Sequence, residues 1–368
     1  MVDGGGLSPP YNQQGEIKFE VLLESFRQMK YDAISIGARE ILMQRDNYNA
    51  WEKLNNSGIP IATLNISYRG KGLSDKPLII HRGGVRVGVF SLFIDGHIPK
   101  SAQKDWYVED PEKIIDATLS YARKNADFVV AMLHGNIPQS RKFVKNHKGM
   151  DIVIVSHSSI KLKKPEKVNS SLLVCAGSQG KYLGRIDAHL SGGKWRFNTR
   201  LIALDRTVPG NPLLTKTYAR YLERIERMAK KKAQKREEEL AGKFPPVLRA
   251  TACQSCHKDI YHKWVKTPHT HAIDSLIKKK EHHDPECISC HVTYYLKGGF
   301  VSREKTPEYA GVQCVSCHGR MEGHIEFHSG KSEKQDAPPQ IKRDICLKCH
   351  MPERDDDFDF ERDKKMVH

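Results

Sequence analysis

Residues 287–318 read CISCHVTYYLKGGFVSREKTPEYAGVQCVSCH, and the pentapeptides at the two ends, Cys287-Ile-Ser-Cys290-His291 and Cys314-Val-Ser-Cys317-His318, decide how the C-terminal third is built. The same arrangement occurs upstream as Cys253-Gln-Ser-Cys256-His257 and downstream as Cys346-Leu-Lys-Cys349-His350. Cysteines two residues apart suit zinc ribbons, thioredoxin-like redox pairs, disulfides or haem attachment. Only the last requires a histidine after every second cysteine. Two thiols add to the vinyl groups on one edge of a haem, and the adjacent imidazole folds under the ring as the proximal iron ligand. The four motifs therefore predict four covalently attached c-type haems, with His257, His291, His318 and His350 on the irons.

The residues around the motifs agree. The segment from Phe244 to His368 is poor in aliphatic side chains and rich in Cys, His, Gly and Pro. Such a segment struggles to build a core unaided, and haems would supply the missing apolar bulk. Candidate sixth ligands are His262, His269, His271, His282, His283, His324, His328 and His368, against only Met321, Met351 and Met366. Bis-histidine ligation is the expectation, with comparatively low potentials.

Residues 249–368 resemble the cytochrome c-554 family of multihaem cytochromes nearly end to end. The matching pieces begin with the first motif followed by Tyr261, Trp264 and Thr267-Pro268-His269, and continue with Asp284-Pro285-Glu286 before the second motif. Gly299-Phe300-Val301-Ser302 then leads to Thr306-Pro307-Glu308-Tyr309-Ala310-Gly311-Val312-Gln313 and the third motif, and Asp357-Phe358-Asp359-Phe360 follows the fourth. The resemblance implies His269, His324 and His368 as distal ligands. The family can leave one haem without a sixth protein ligand, and His262, His282, His283 and His328 lie outside its pattern.

The remaining residues have another character. The chain carries a formal charge of +16, of which the 20 Lys+Arg and 19 Asp+Glu after Lys243 contribute only +1. The basic residues are spread without aromatic interleaving, so nucleic acid is not an expected partner. Apolar β-type runs at 31–36, 60–65, 77–81, 85–93, 127–133, 151–155, 171–175, 182–188 and 194–204 predict strands. Helical patterns fall at 17–30, 47–55, 110–125 and 138–147, and their alternation with the strands predicts a layered α/β fold. Residues 211–243 read as a charged, solvated helical linker, stopped by Phe244-Pro245-Pro246.

Residues 1–206 also carry a resemblance, to the calcineurin-like metallophosphoesterase domain of 5′-nucleotidases. Its pieces are Tyr31-Asp32-Ala33-Ile34-Ser35-Ile36-Gly37, the hairpin ending Gly84-Val85-Arg86-Val87-Gly88-Val89, Ala126-Asp127-Phe128-Val129-Val130, Gly149-Met150-Asp151-Ile152-Val153-Ile154 and Ala176-Gly177-Ser178-Gln179-Gly180-Lys181-Tyr182-Leu183-Gly184. Two-metal hydrolysis needs carboxylates and imidazoles that clamp the ions. Here the family's Gly-Asp reads Gly5-Gly6, its Gly-Asn-His-Glu reads Gly37-Ala38-Arg39-Glu40, and its Gly-His-x-His reads Ser156-His157-Ser158-Ser159. Only His134 and His157 remain as candidate ligands, so the expectation is a pseudo-phosphoesterase without hydrolytic activity. Cys175 reads as a core thiol.

The sequence thus predicts two domains: a degenerate metallophosphoesterase-like α/β domain over 1–210, and a mostly irregular, partly helical multihaem cytochrome c module over 244–368. The expected function is electron transport through haem iron, with redox protein partners, no catalytic residue and no enzyme activity. A redox enzyme with an open haem acting on a small nitrogen or sulfur compound is the alternative, and spare histidines leave room for self-association into an extracellular filament. No run of 18 apolar residues suggests a membrane span. Haem attachment takes place outside the cytoplasm, so a periplasmic or extracellular location is expected, although no signal sequence is visible. The phosphoesterase resemblance starts one motif late, which implies a natural chain extending upstream.

Overall fold

The apolar run Phe128–His134 is buried along its whole length, and the N-terminal unit is built around it. In the computed structural model, Val85–Phe93 and Ile152–Val155 flank it in parallel, with Val130 opposite both Val89 and Ile152. Ser171–Val174 extends the parallel set, and Leu78–Arg82 and Glu166–Val168 close the two edges antiparallel. A parallel strand covered on both faces reads as a continuous apolar run, and the alternation of side chains divides this one. Val129, Ala131 and Leu133 join Ile115, Leu119, Phe143 and Val144 of the helices Pro111–Asn125 and Ile137–Asn146. Phe128, Val130 and Met132 face the other way, toward Ile186, Trp195 and Phe197 of the hairpin Tyr182–Ser191/Lys194–Ala203. Asp110 caps the first helix ahead of Pro111, and Asn136 with Gln139 forms a capping box on the second.

A third cluster joins Phe19, Leu23 and Phe26 of the helix Gln13–Gln28 to Ile34, Ile36 and Trp106. Two expected strands are shorter than the pattern suggests. The run 31–36 contributes only Ala33–Ile34, paired in parallel with Val2–Asp3. The run 60–65 makes single bridges, Ile61 to Ile34 and Thr63 to Ser91, which join that small pair to the main sheet. Asn65 explains the early end, because its side-chain amide takes the Phe93 carbonyl and N–H that a further ladder residue would use.

The chain divides into compact units at Met1–Ala219 and Arg220–His368. The structure describes residues 1–7, 12–45, 48–96, 98, 100–205, 207–240, 243–333, 340–351, 354–355 and 357–367. The division falls within one 29-residue helix, Pro212–Leu240. That helix is not solvated all round: Thr217, Tyr221, Ile225 and Ala229 are buried at four-residue spacing. The second unit consists of short helices and turns around a small core of Val247, Ile273, Ile288, Val292, Phe300, Tyr309 and Val315. Among the described residues no helix is long and apolar enough to cross a membrane.

Candidate functional site

In an open parallel sheet, ligand sites form beyond the carboxyl ends of the strands. In the N-terminal unit those ends deliver Gly4–Gly6, Gly37, Asp95, His134 and His157 to one place. Glu40, on the five-residue helix Ala38–Leu42, turns its buried carboxylate back into this pocket and accepts from the N–H of Gly6 at 2.9 Å and of Gly37 at 2.8 Å. The His134 ring is sandwiched between Phe93 and His157, at 5.1 and 4.8 Å between centroids, and its Nε2 accepts from Ala38 N–H at 3.3 Å. Gly37 is glycine for steric reasons: a Cβ there would lie 2.3 Å from His134 Cε1. His157 Nδ1 lies 3.2 Å from Asp95 Oδ2. Burial pushes His134 down to about 4, and His157 adds to the shift. Burial also pushes Asp3 up to about 6, with the Gly5 N–H opposing and the Glu40 charge adding. Asp3, Asp95 and the inward turn of Glu40 escaped the sequence reading. Of these, Glu40 had a signal there, as the carboxylate kept, with Gly37, from the expected Gly-Asn-His-Glu. Cys175 is a buried core thiol, as expected, and burial raises its pKa.

In the C-terminal unit each cysteine motif lies on or beside a helical turn. Asp284 accepts from Glu286 N–H at 2.9 Å and so caps the helix Pro285–His291, which carries Cys287, Cys290 and His291. The helix Cys314–His318 contains the whole third motif, Thr251–Gln254 begins the first with Cys253, and Arg343–Cys346 begins the fourth. Three-residue spacing on a helix places both sulfurs on one face. None of the nine cysteines forms a disulfide. The motifs meet in pairs: the Cys253 thiolate is held down at about 7 by a hydrogen bond with Cys314, and that of Cys290 at about 6 by one with Cys349. The partner thiols are pushed up correspondingly.

The histidines are brought together selectively. His257 and His324 have ring centres 6.2 Å apart, and His269 and His350 6.0 Å apart. His350 Nδ1 bonds Asp355 Oδ2 at 2.6 Å, and His291 Nδ1 bonds the Ala272 carbonyl at the same distance. Each contact leaves Nε2 of that ring as the nitrogen that could hold a metal. Neither partner had a sequence signal. His328 packs edge-on to His324 at 4.6 Å, and His282 and His283 lie 4.2 Å apart. His368 lies outside the described residues.

Comparison with known proteins finds different relatives for different parts of the chain. Residues 252–319 match the family Cytochrome c554 and c-prime. The C-terminal unit thus contains a segment similar to the cytochrome c554 family. Cytochrome c-554 of Nitrosomonas europaea is 31% identical over 127 residues, a stretch covering 30% of this chain and 52% of the relative. The chain thus spans about half the length of the curated relative it matches. The N-terminal fold is that of the 5′-nucleotidases. A 5′-nucleotidase precursor from Thermus thermophilus aligns with TM-score 0.53 and 15% identity, over 61% of this chain and 49% of its own. The sulfate thiohydrolase SoxB of Thermus thermophilus aligns with TM-score 0.52 and 18% identity, over 60% and 42%.

These neighbours correct one expectation. The absence of enzyme activity was inferred from lost metal ligands, yet the N-terminal unit shares its fold with enzymes, a nucleotidase and a thiohydrolase. Losing individual ligands did not empty the pocket, where His134, His157, Asp95 and Glu40 still converge. The cytochrome c554 family in turn implies covalent c-type haem, and the residues present fit such a group. Ring centres about 6 Å apart leave room for one iron with a bond of roughly 2 Å to each imidazole. Paired thiols precede His257 and His350.

Proposed function

We propose that the chain passes electrons outside the cytoplasm through four covalently bound haems, one on each Cys-x-x-Cys-His motif. The observation that carries this reading is the pair of histidine couples, His257 with His324 and His350 with His269, each joining a motif histidine to one implied as distal. Bound haem supplies reversible one-electron chemistry at its iron, and the protein sets ligation, orientation and solvent access. Cys253, Cys256, Cys287, Cys290, Cys314, Cys317, Cys346 and Cys349 anchor the rings. His257, His291, His318 and His350 would each hold an iron, and His269, His324 and His368 would supply a second imidazole to three of them. Asp355 and the Ala272 carbonyl hold the rings of His350 and His291 through Nδ1, so that Nε2 would be the nitrogen offered to iron. The meeting of the first motif with the third, and of the second with the fourth, keeps the carriers within short reach of one another. The expected exchange partners are other redox proteins in the periplasm or outside the cell.

Mass spectrometry of the denatured protein should find four haems still attached. Haem lost to acid-acetone extraction would overturn the reading. His324→Ala should convert one haem to high spin and open it to carbon monoxide, and His269→Ala should do the same to a different haem. An unchanged spectrum in either variant would refute that ligand assignment.

A further inference from the structure

The helix Pro212–Leu240 precedes the residues that match the cytochrome, and its composition reads as a solvated spacer. Its second half is nevertheless part of the C-terminal unit. Tyr221, Ile225 and Ala229 are 6%, 1% and 5% exposed, one buried stripe at four-residue spacing. Two polar contacts leave the same region of the helix. Tyr221 Oη donates to Asp284 Oδ2 at 3.1 Å, both residues being buried, and Glu226 Oε1 lies 3.5 Å from His283 Nε2. Farther along, Glu237 pairs with Lys305 at 2.8 Å.

Both inner contacts land on the residues that lead into the second motif. The two Asp284 oxygens have separate tasks: Oδ1 caps the helix at Glu286 N–H, and Oδ2 takes the tyrosine hydroxyl. The Asp284 carbonyl accepts from the N–H of Cys287 and Ile288, at 3.0 and 2.9 Å. The carboxylate is therefore a buried charge pinned one turn before the cysteines, and Tyr221 pins it from outside the cytochrome sequence. A fixed negative charge in a low-dielectric setting favours the oxidised, more positive state of a nearby metal. A hydroxyl donating to that charge offsets part of its field.

We infer that Tyr221 is a positioning residue for the second haem, acting through Asp284 to set the potential of the iron bound by His291. This rests on the haem reading above. The test is a redox titration of the intact protein, following all four haems by their spectra. Tyr221→Phe keeps the buried ring and removes only the donor, so one of the four potentials should shift downward while the other three hold. Asp284→Asn removes the charge and should move the same haem upward. Hydrogen exchange gives a readout that needs no haem: the amides of Cys287–His291 should exchange faster in Tyr221→Phe than in the unmodified protein. If none of the potentials moves, if all four move together, or if the two variants affect different haems, the inference is wrong. Failure of the haem reading is distinct, since it would appear as missing covalent haem in the unmodified protein.

Discussion

A partly buried carboxyl and a buried imidazole at the N-terminal pocket should cancel each other in the pH dependence of stability. Asp3 is pushed from 3.8 up to about 6 and His134 from 6.5 down to about 4. A raised acid binds its proton more tightly in the folded state. Its contribution is fully present below the unfolded value and is lost as pH rises through about 6. A depressed histidine does the reverse: its contribution is present above 6.5 and is lost as pH falls toward 4. At roughly 1.4 kcal/mol per tenfold change in proton affinity, each effect is worth about 3 kcal/mol, with opposite sign over nearly the same pH range. The unmodified unit should therefore show little net pH dependence from this pair. Asp3→Asn should leave stability climbing by about 3 kcal/mol, relative to the unmodified protein, between pH 4 and 6.5. His134→Gln should leave it falling by a similar amount over that range. Hydrogen exchange at the buried strand Phe128–His134 reads the stability of this unit at each pH. Exchange profiles in which both variants keep the unmodified protein's slope would refute the argument, and so would two variants sloping the same way.

Gly37→Ala places a methyl group against His134 and should destabilise the unit by about 1–3 kcal/mol, measured as a lower denaturant midpoint at unchanged slope. Ile115→Ala, in the fully buried helix contact, should cost about 2–5 kcal/mol by the same assay. Glu40→Gln retains the shape but removes the charge that two N–H groups bind; a loss of about 1–3 kcal/mol in thermal unfolding is expected, and no loss would mean those bonds hold nothing. Asp355→Asn should loosen the His350 ring and alter the spectrum of a single haem without releasing it.

The sequence showed most of what local chemistry dictates. The haem proposal for Cys-x-x-Cys-His needs no tertiary context, because two thiols and an imidazole at adjacent positions would serve one ring. Long apolar runs were equally legible: Val85–Phe93 forms the strand that the pattern predicts, and the helix Pro111–Asn125 is bounded by its own cap and proline. What escaped depends on elements distant in sequence. The run 60–65 has strand composition, but the amide of Asn65 ends its ladder on Phe93, twenty-eight residues away. Glu40 looks like the remnant of a lost motif, whereas its carboxylate now occupies the space between two backbone donors in the pocket. The stripe on Pro212–Leu240 is a further instance, because four buried residues in 29 scarcely alter a composition dominated by lysine and glutamate. At Tyr221 the partner is Asp284, some sixty residues downstream, which receives the tyrosine hydroxyl, and at Thr217 it is Gln28, far upstream. A buried polar group needs a partner. Tyr221 therefore carries more information about the role of this helix than the run of charges around it, and removing its hydroxyl is the smallest change that tests whether the helix is spacer or part of the haem site.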